Sequence, residues 1–189
     1  MKVMKFGGSS VATPERIARI AGLVADELAA SGAPPVIVVS ALKGTTDQLD
    51  LAAHQAAEGD VQYRTVVSDM RARHESALDA CSSGLSDDER NRLREAQEAV
   101  FEELSGILHG VELVHECSPR TRDILLSFGE RLSVRIVAAA LRAAGVPARD
   151  VDARHHVRTD DRHGRAMVEV EPSYAAIRAM YHASSEVPV

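Results

Sequence analysis

The run Val36-Ile37-Val38-Val39 constrains the fold more than any other segment of this chain. It is continuous, apolar and β-branched. Gly32 and Pro34-Pro35 precede it, and Ser40 and Gly44 follow it. Such a run is expected to form a strand buried on both faces, as in a parallel sheet. The preceding segment supplies the crossover. Val3 to Phe6 reads as a first short strand and Gly7 to Ala12 as a loop of small residues. Thr13-Pro14-Glu15 marks a helix start, with Thr as N-cap, Pro at the first helical position and a carboxylate near the positive dipole end. Ile17, Ile20, Ala21, Val24 and Leu28 share one face of a helix running to about Ala30. Strand, helix and strand in this order form a βαβ unit, right-handed by default.

Ser40 to Thr46 reads as a second loop, leading into a helix from about Asp47 with Thr45 or Thr46 as its cap. The pattern then turns helical. Tyr63, Val66, Val67, Met70, His74 and Ala77 recur at helical spacing, and after Ser82-Ser83-Gly84 so do Leu93, Ala96, Val100, Leu104, Ile107 and Leu108. The spacing predicts a helical hairpin inserted into the α/β frame. Pro119 to Ala144 reads as one strong helix, stopped by Gly145 and Pro147. Alternation resumes at Ala148 to Asp152 and at Ala166 to Val170, and Ser173 to His182 reads as a last helix. Glu186 to Val189 opens another strand. A domain does not normally stop as a core strand begins, so either truncation or a disordered remainder is expected.

Aromatic residues are 3% of the chain and Trp is absent, so the core must rest on Ala, Val, Leu and Ile. The formal net charge is -6 with no long basic run, which argues against a nucleic-acid partner. A local positive pocket for one nucleotide is compatible with it. Cys81 and Cys117 are too few and too far apart for a disulfide scaffold or a zinc pattern. No signal-peptide pattern and no bilayer-length apolar run is present, so a cytoplasmic protein with no membrane partner is expected.

Three constellations could carry chemistry. Lys5 with Gly7, Gly8, Ser9 and Ser10 follows the first strand. Glycines let backbone N–H groups approach an anion, and a following helix adds its positive end. The spacing is not that of a P-loop, and from the glycine pair alone an ordinary tight turn with an exposed lysine is the favoured reading. Ser40-Ala41-Leu42-Lys43-Gly44-Thr45-Thr46-Asp47 follows the second strand, at the edge where open α/β sheets bind ligands. The Ser40 and Thr46 hydroxyls could hold a carboxylate there. The third group is Arg120, Arg122, Glu130 and Arg131. Gly129 interrupts their helix at a cost of about 1 kcal/mol relative to Ala, which suggests close approach of a ligand or of backbone. Arg122 and Arg135 are expected on a solvated charged face. His155-His156 lacks a metal-ligand spacing, and Thr159 to His163 reads as a polar turn rather than a magnesium site.

Taken together, Lys5-Phe6-Gly7-Gly8-Ser9-Ser10-Val11, Val39-Ser40-Ala41 with Gly44-Thr45-Thr46-Asp47, Leu126-Ser127-Phe128-Gly129-Glu130-Arg131-Leu132-Ser133 and Arg158 to Ala166 resemble, in order, the signature segments of the aspartate kinase branch of the amino-acid kinase family. The helical insert, about residues 47–115, resembles forms with an extended helical lobe, including those fused to homoserine dehydrogenase. The resemblance implies a three-layer α/β/α sandwich with a mainly parallel sheet and an inserted helical lobe. It implies that residues 1–189 are the N-terminal part of the catalytic domain. The C-terminal ATP-binding part and any ACT domains would lie outside them, leaving this portion inactive or nearly so. The implied reaction moves the γ-phosphoryl of ATP to the side-chain carboxylate of L-aspartate, the first step towards lysine, threonine and methionine. Lys5 would be catalytic and, with Gly7, Gly8 and Ser9, would bind the ATP phosphates. Ser40, Ala41, Thr46 and Glu130 would bind aspartate, with Glu130 on its ammonium group. ATP with Mg2+ is the implied cofactor, no protein residues are assigned to the metal, and a homodimer is implied for the full-length form. Another amino-acid kinase, or a non-catalytic aspartate-binding or assembly module, are the competing readings.

Overall fold

Strands β1 (Val3–Phe6) and β2 (Val36–Val39) pair in parallel, with Val3 opposite Val36 and Phe6 opposite Val39. They belong to a computed structural model that describes residues 1–189. Helix α1 (Pro14–Ser31) makes the crossover. The Thr13 hydroxyl accepts from the Arg16 amide at its start, and Gly32, at φ 65°, donates to the Leu28 carbonyl at its end. A left-handed C-cap of this kind is the conformation glycine adopts without penalty. Two short strands, β3 (Ala148–Arg149) and β4 (Val187–Pro188), form a second parallel pair, and β4 lies beside β2. The chain is thus mixed α/β, mostly helical, with small parallel sheets. Residues 166–170 form no strand; they contribute one antiparallel bridge, Thr159 to Val168.

The sheet is buried on one face only, contrary to the expectation for Val36 to Val39. Ile37 and Val39 are buried with Ile17, Ile20, Val24, Ile136 and Val137, and Met4 and Phe6 pack against them. On the opposite face Val38 is 41% exposed and Val3 54% exposed. The helices that pack on this sheet, α1 and α5, both lie on the Ile37 side. Continuous apolar character therefore did not translate into two-sided burial within these residues.

The helical lobe consists of α2 (Thr45–Ala57), α3 (Tyr63–Cys81) and α4 (Asp87–Val114). Helix α4 starts at Ser86, whose hydroxyl accepts from the Glu89 amide. Helix α5 (Pro119–Ala143) starts in the same way at Ser118. Its first half sends Leu125, Phe128 and Leu132 into the lobe core with Leu49, Met70, Phe101 and Leu104. Its second half sends Ile136 to Leu141 into the core beneath the sheet. One helix therefore belongs to both cores. Helix α6 (Val170–His182) is attached at its C-terminal end, where Tyr181 donates to the Pro34 carbonyl and Arg149 to the Met180 carbonyl. No helix is long and apolar enough to cross a membrane. Cys81 is buried, which pushes its thiol up to about 11, and Cys117 is likewise unpaired.

His74 is the least comfortable group in the lobe. It is fully buried, its Nδ1 lies 2.7 Å from the Met70 carbonyl, and its Nε2 has no partner. The Phe101 ring stands edge-on to it at 5.8 Å. Desolvation, with a smaller contribution from the charge of Arg73, lowers its pKa from 6.5 to about 4. The folded chain thus keeps His74 neutral where the unfolded chain protonates it. Between about pH 6.5 and pH 4 stability should fall as pH falls, by a total on the order of 3 kcal/mol. Urea denaturation across this window measures the slope, and His74→Leu should remove that part of it while leaving the carboxylate contributions in place.

Candidate active site

Because β1 and β2 are parallel and in register, Phe6 and Val39 end side by side, and the Ser40 amide donates to the Phe6 carbonyl at 3.1 Å. The loops leaving both strands therefore share one sheet edge, the carboxyl edge. In the first loop the Gly7 carbonyl accepts from the amides of Ser10 and Val11. The amides of Gly7, Gly8 and Ser9 donate to no group of the protein. Three consecutive free N–H groups are what an anion-binding concavity needs. Arg16 anchors the loop from the first turn of α1 by donating to the Ser9 carbonyl. A Cβ on Gly8 would come within 3.1 Å of the Ala41 carbonyl oxygen, so the two loops are in contact. Lys5, one residue before the strand end, is exposed and has no carboxylate within salt-bridge distance.

The second loop is held from α5. A Cβ on Gly129 would lie 2.7 Å from the Ala41 Cβ and 3.5 Å from Leu49 and Thr45, so only glycine lets the helix come this close. Next to it, Glu130 Oε1 accepts from the Ala41 amide at 3.2 Å. One turn on, the buried Ser133 hydroxyl lies 2.9 Å from the Ser40 carbonyl and donates to it. Residues 129, 130 and 133 form one patch on the helix, so the motif reads as a grip on this loop. The other side of the same helix explains the rest of the motif. Phe128 and Leu132 are core residues, and Arg131 lies over the Phe128 ring at 4.3 Å and pairs with Glu103.

The loop ends at Gly44, with φ 83°, which takes the N-cap position of α2. Neither Thr45 nor Thr46 caps this helix through its hydroxyl, contrary to expectation. Thr45 is fully buried and its Oγ1 accepts from Arg73, while Thr46 is exposed. The left-handed glycine moves the helix start one residue ahead of the place where a threonine cap would sit.

Lys5, Gly7, Gly8 and Ser9 thus stand on one loop or its strand, and Ser40, Ala41 and Thr46 on its neighbour. Glu130 joins them through Ala41. Lys43 and Arg73 at the same edge also lack carboxylate partners. Two clefts of the chain lie elsewhere. One runs between α3 and α4 and is lined by Tyr63, Arg64, Arg71 and His109; another lies beside α2. Their arginines already pair with Glu112, Glu98 and Asp50, whereas the donors at the open loop edge are free, which makes that edge the candidate site. Ser133 and Arg73 were not singled out in the sequence. Ser133 could have been found from its spacing of four to Gly129, whereas nothing local marks Arg73.

Arg122 is exposed and pairs with Asp50 at 2.7 Å. Arg135 departs from the expected solvated face: its side chain is only 22% exposed, lies 3.7 Å from Asp150, and burial lowers its pKa. The segment 158–166 folds back on α5. The Gly164 amide donates to Asp123 at 2.8 Å, and Asp160 accepts from the Arg162 and Met167 amides.

A sequence profile described as "Amino acid kinase family" matches residues 1–189. The chain belongs to the amino acid kinase family. It is 36% identical over 167 residues to aspartokinase 1, chloroplastic, of Arabidopsis thaliana, covering 84% of this chain and 27% of that protein. It is 34% identical over 165 residues to an aspartokinase of Schizosaccharomyces pombe, covering 81% of this chain and 30% of that protein. Among solved structures, E. coli aspartokinase III in complex with aspartate and ADP superposes with a TM-score of 0.82 at 28% identity, over 100% of this chain and 39% of that one. The chain therefore spans well under half the length of these family members.

Gly129 gives the sharpest test of how the loop is held. In an unconstrained helix Gly→Ala would stabilise by up to about 1 kcal/mol. Here the added methyl must displace a loop fixed on both sides, which costs about 1–3 kcal/mol. Gly129→Ala should therefore lower stability in chemical denaturation, and should shift the amide resonances of Ala41 and Thr45 while leaving those of α6 unchanged.

Proposed function

We propose that this chain carries the phosphate-binding and acceptor-binding parts of an aspartate kinase, which transfers the γ-phosphoryl of ATP to the side-chain carboxylate of L-aspartate. The observation that carries the proposal is the pairing of two unlike loops at one sheet edge. One offers three free amides beside an unpaired lysine. The other is held by a carboxylate, Glu130, which takes the Ala41 amide through one oxygen. The first suits phosphates, and the second suits a ligand with an ammonium group. Aspartate has both an ammonium group and an acceptor carboxylate. The similarity to aspartokinases of plant, yeast and bacterial origin supports the same reading.

The reaction needs no general base in this arrangement. The acceptor carboxylate is ionised at neutral pH and attacks the γ-phosphorus directly. A carboxylate oxygen–phosphorus bond forms, the bond from phosphorus to the β–γ bridging oxygen breaks, and ADP leaves with the electron pair. The protein's contribution is alignment and charge neutralisation. Lys5 would stabilise charge on the transferring group, with the amides of Gly7, Gly8 and Ser9 on the phosphates. Ser40, Ala41 and Thr46 would line the acceptor site, and Glu130 would pair with the ammonium group. A magnesium ion bound with ATP would help to neutralise the charge of its phosphates.

Calorimetry with L-aspartate tests the acceptor half directly. Glu130→Ala should weaken binding at least about tenfold, the loss expected for one charge-assisted contact. In a form of the protein that turns over, trapping the acyl phosphate with hydroxylamine tests the chemistry. Lys5→Ala should lower kcat about a hundredfold or more with little change in the KM for aspartate. Equal or tighter binding of L-glutamate, or turnover indifferent to Lys5→Ala, would sink the proposal.

A further inference from the structure

The acceptor loop is gripped by α5 at its start, through Ser40 and Ala41. Its far end is held from a different part of the fold. Arg73, on the third turn of α3, reaches back across the loop. One guanidinium nitrogen donates to the Lys43 carbonyl at 3.0 Å and another to the Thr45 hydroxyl at 2.5 Å. The group also lies 3.9 Å from where a Cβ on Gly44 would stand. It therefore brackets the left-handed glycine at which the loop turns into α2. No carboxylate is within salt-bridge distance of Arg73, although Arg64, Arg71, Arg94, Arg122 and Arg131 in and around the same lobe all have one. The residue as a whole is exposed, but its charged end is desolvated against the loop, which pulls its pKa down.

A guanidinium that forgoes an ion pair to hold one carbonyl and one buried hydroxyl is placed for geometry. Its planar fork can meet two acceptors at once, which a lysine ammonium on a flexible stem does less well. Thr45 is fully buried, so its hydroxyl has no water to fall back on if Arg73 is lost. Thr46, the next residue, is the hydroxyl assigned above to the acceptor site. We infer that Arg73 is a positioning residue: it latches the C-terminal end of the acceptor loop, so that Thr46 and the loop backbone are presented to the acceptor, and so makes the helical lobe part of the binding site. The inference rests on the functional reading above for the identity of the acceptor, but not for the latch itself.

The test uses Arg73→Ala, Arg73→Lys and Thr45→Val, with Arg64→Ala as a control on the same helix. Amide exchange at Thr45, whose N–H donates to the Leu42 carbonyl at 2.9 Å, is followed first without ligand. It should accelerate about tenfold in Arg73→Ala and Arg73→Lys, with no change in α4 or in Arg64→Ala. L-aspartate binding should weaken about tenfold in both Arg73 variants, and in a turning-over form this should appear in the KM for aspartate with kcat within about threefold. Thr45→Val should act in the same direction and add little to Arg73→Ala, since both break one contact. Unchanged Thr45 exchange in Arg73→Ala overturns the latch. So does wild-type behaviour of Arg73→Lys, which would show that charge alone matters. Exchange is read without ligand, so a wild-type protein that ignored aspartate would count against the functional reading and leave the latch to be judged by exchange alone.

Discussion

The approach of α5 to the loop after β2 is the contact on which the rest of the candidate site depends. It exists because residue 129 has no side chain. With the Ala41 methyl seated against the Gly129 backbone, Glu130 reaches the Ala41 amide and Ser133 reaches the Ser40 carbonyl. Glycine inside a helix forgoes about 1 kcal/mol of propensity. Two hydrogen bonds to otherwise buried backbone, at about 1 kcal/mol each, are enough to offset it. The same approach brings the Gly7-Gly8 loop into register, because Gly8 packs on the Ala41 carbonyl. One small residue on each neighbour thus sets the spacing of three segments that are far apart in sequence.

The electrostatics of this edge run against those of the chain. The formal net charge is -6, yet Lys5, Lys43 and Arg73 stand here without carboxylate partners, next to three unused amides. At physiological ionic strength charges separated by more than about 8 Å are largely screened. The diffuse acidity of the helical surfaces therefore does not cancel the local field. Glu130 is the exception that gives the edge its chemical character. A site of cations and amides alone would take any phosphate or dicarboxylate. Under the proposed function, the carboxylate fixed beside it would add a preference for a ligand with a positive group as well.

Much of this could be read from the residues, and the failures share a cause. Caps and breakers act locally, so Thr13, Gly32, Ser82 to Gly84, Pro119 and Gly145 marked element ends within a residue or two of where they fall. Helical spacing found the α3–α4 hairpin because most of its core face is regular, although in α4 Ala96 is exposed and Gln97 is buried in its place. The errors arose where the outcome depends on what lies across space. Val38 is as apolar as Ile37, but nothing in residues 1–189 covers its side of the sheet. Thr45 and Thr46 are natural caps, but a left-handed glycine took the position and Arg73 took the Thr45 hydroxyl. Arg135 resembles its neighbours on α5 in sequence, and its low exposure, close to Asp150, comes from tertiary packing that no local pattern marks.

The division of α5 between two cores has a consequence for how the site responds to change. Leu125, Phe128 and Leu132 fix the helix in the lobe, and Ile136 to Leu141 fix it beneath the sheet. Gly129, Glu130 and Ser133 lie within or beside the first of these stretches. The rotation of α5 about its axis at the loop is therefore set mainly by lobe packing, and its translation along the strands by the sheet core. Interiors this dense do not absorb a shift gradually. A change in the lobe, even one far from Lys5, is passed to the loop after β2 along a rigid helix, whereas a change in α6, which is held at Pro34 and Arg149 and through Ser173 to Arg158, reaches α5 only by way of the segment in which Gly164 meets Asp123. The helical lobe is therefore best understood as one of the two jaws that hold the loop after β2, with Arg73 and the first half of α5 as its teeth.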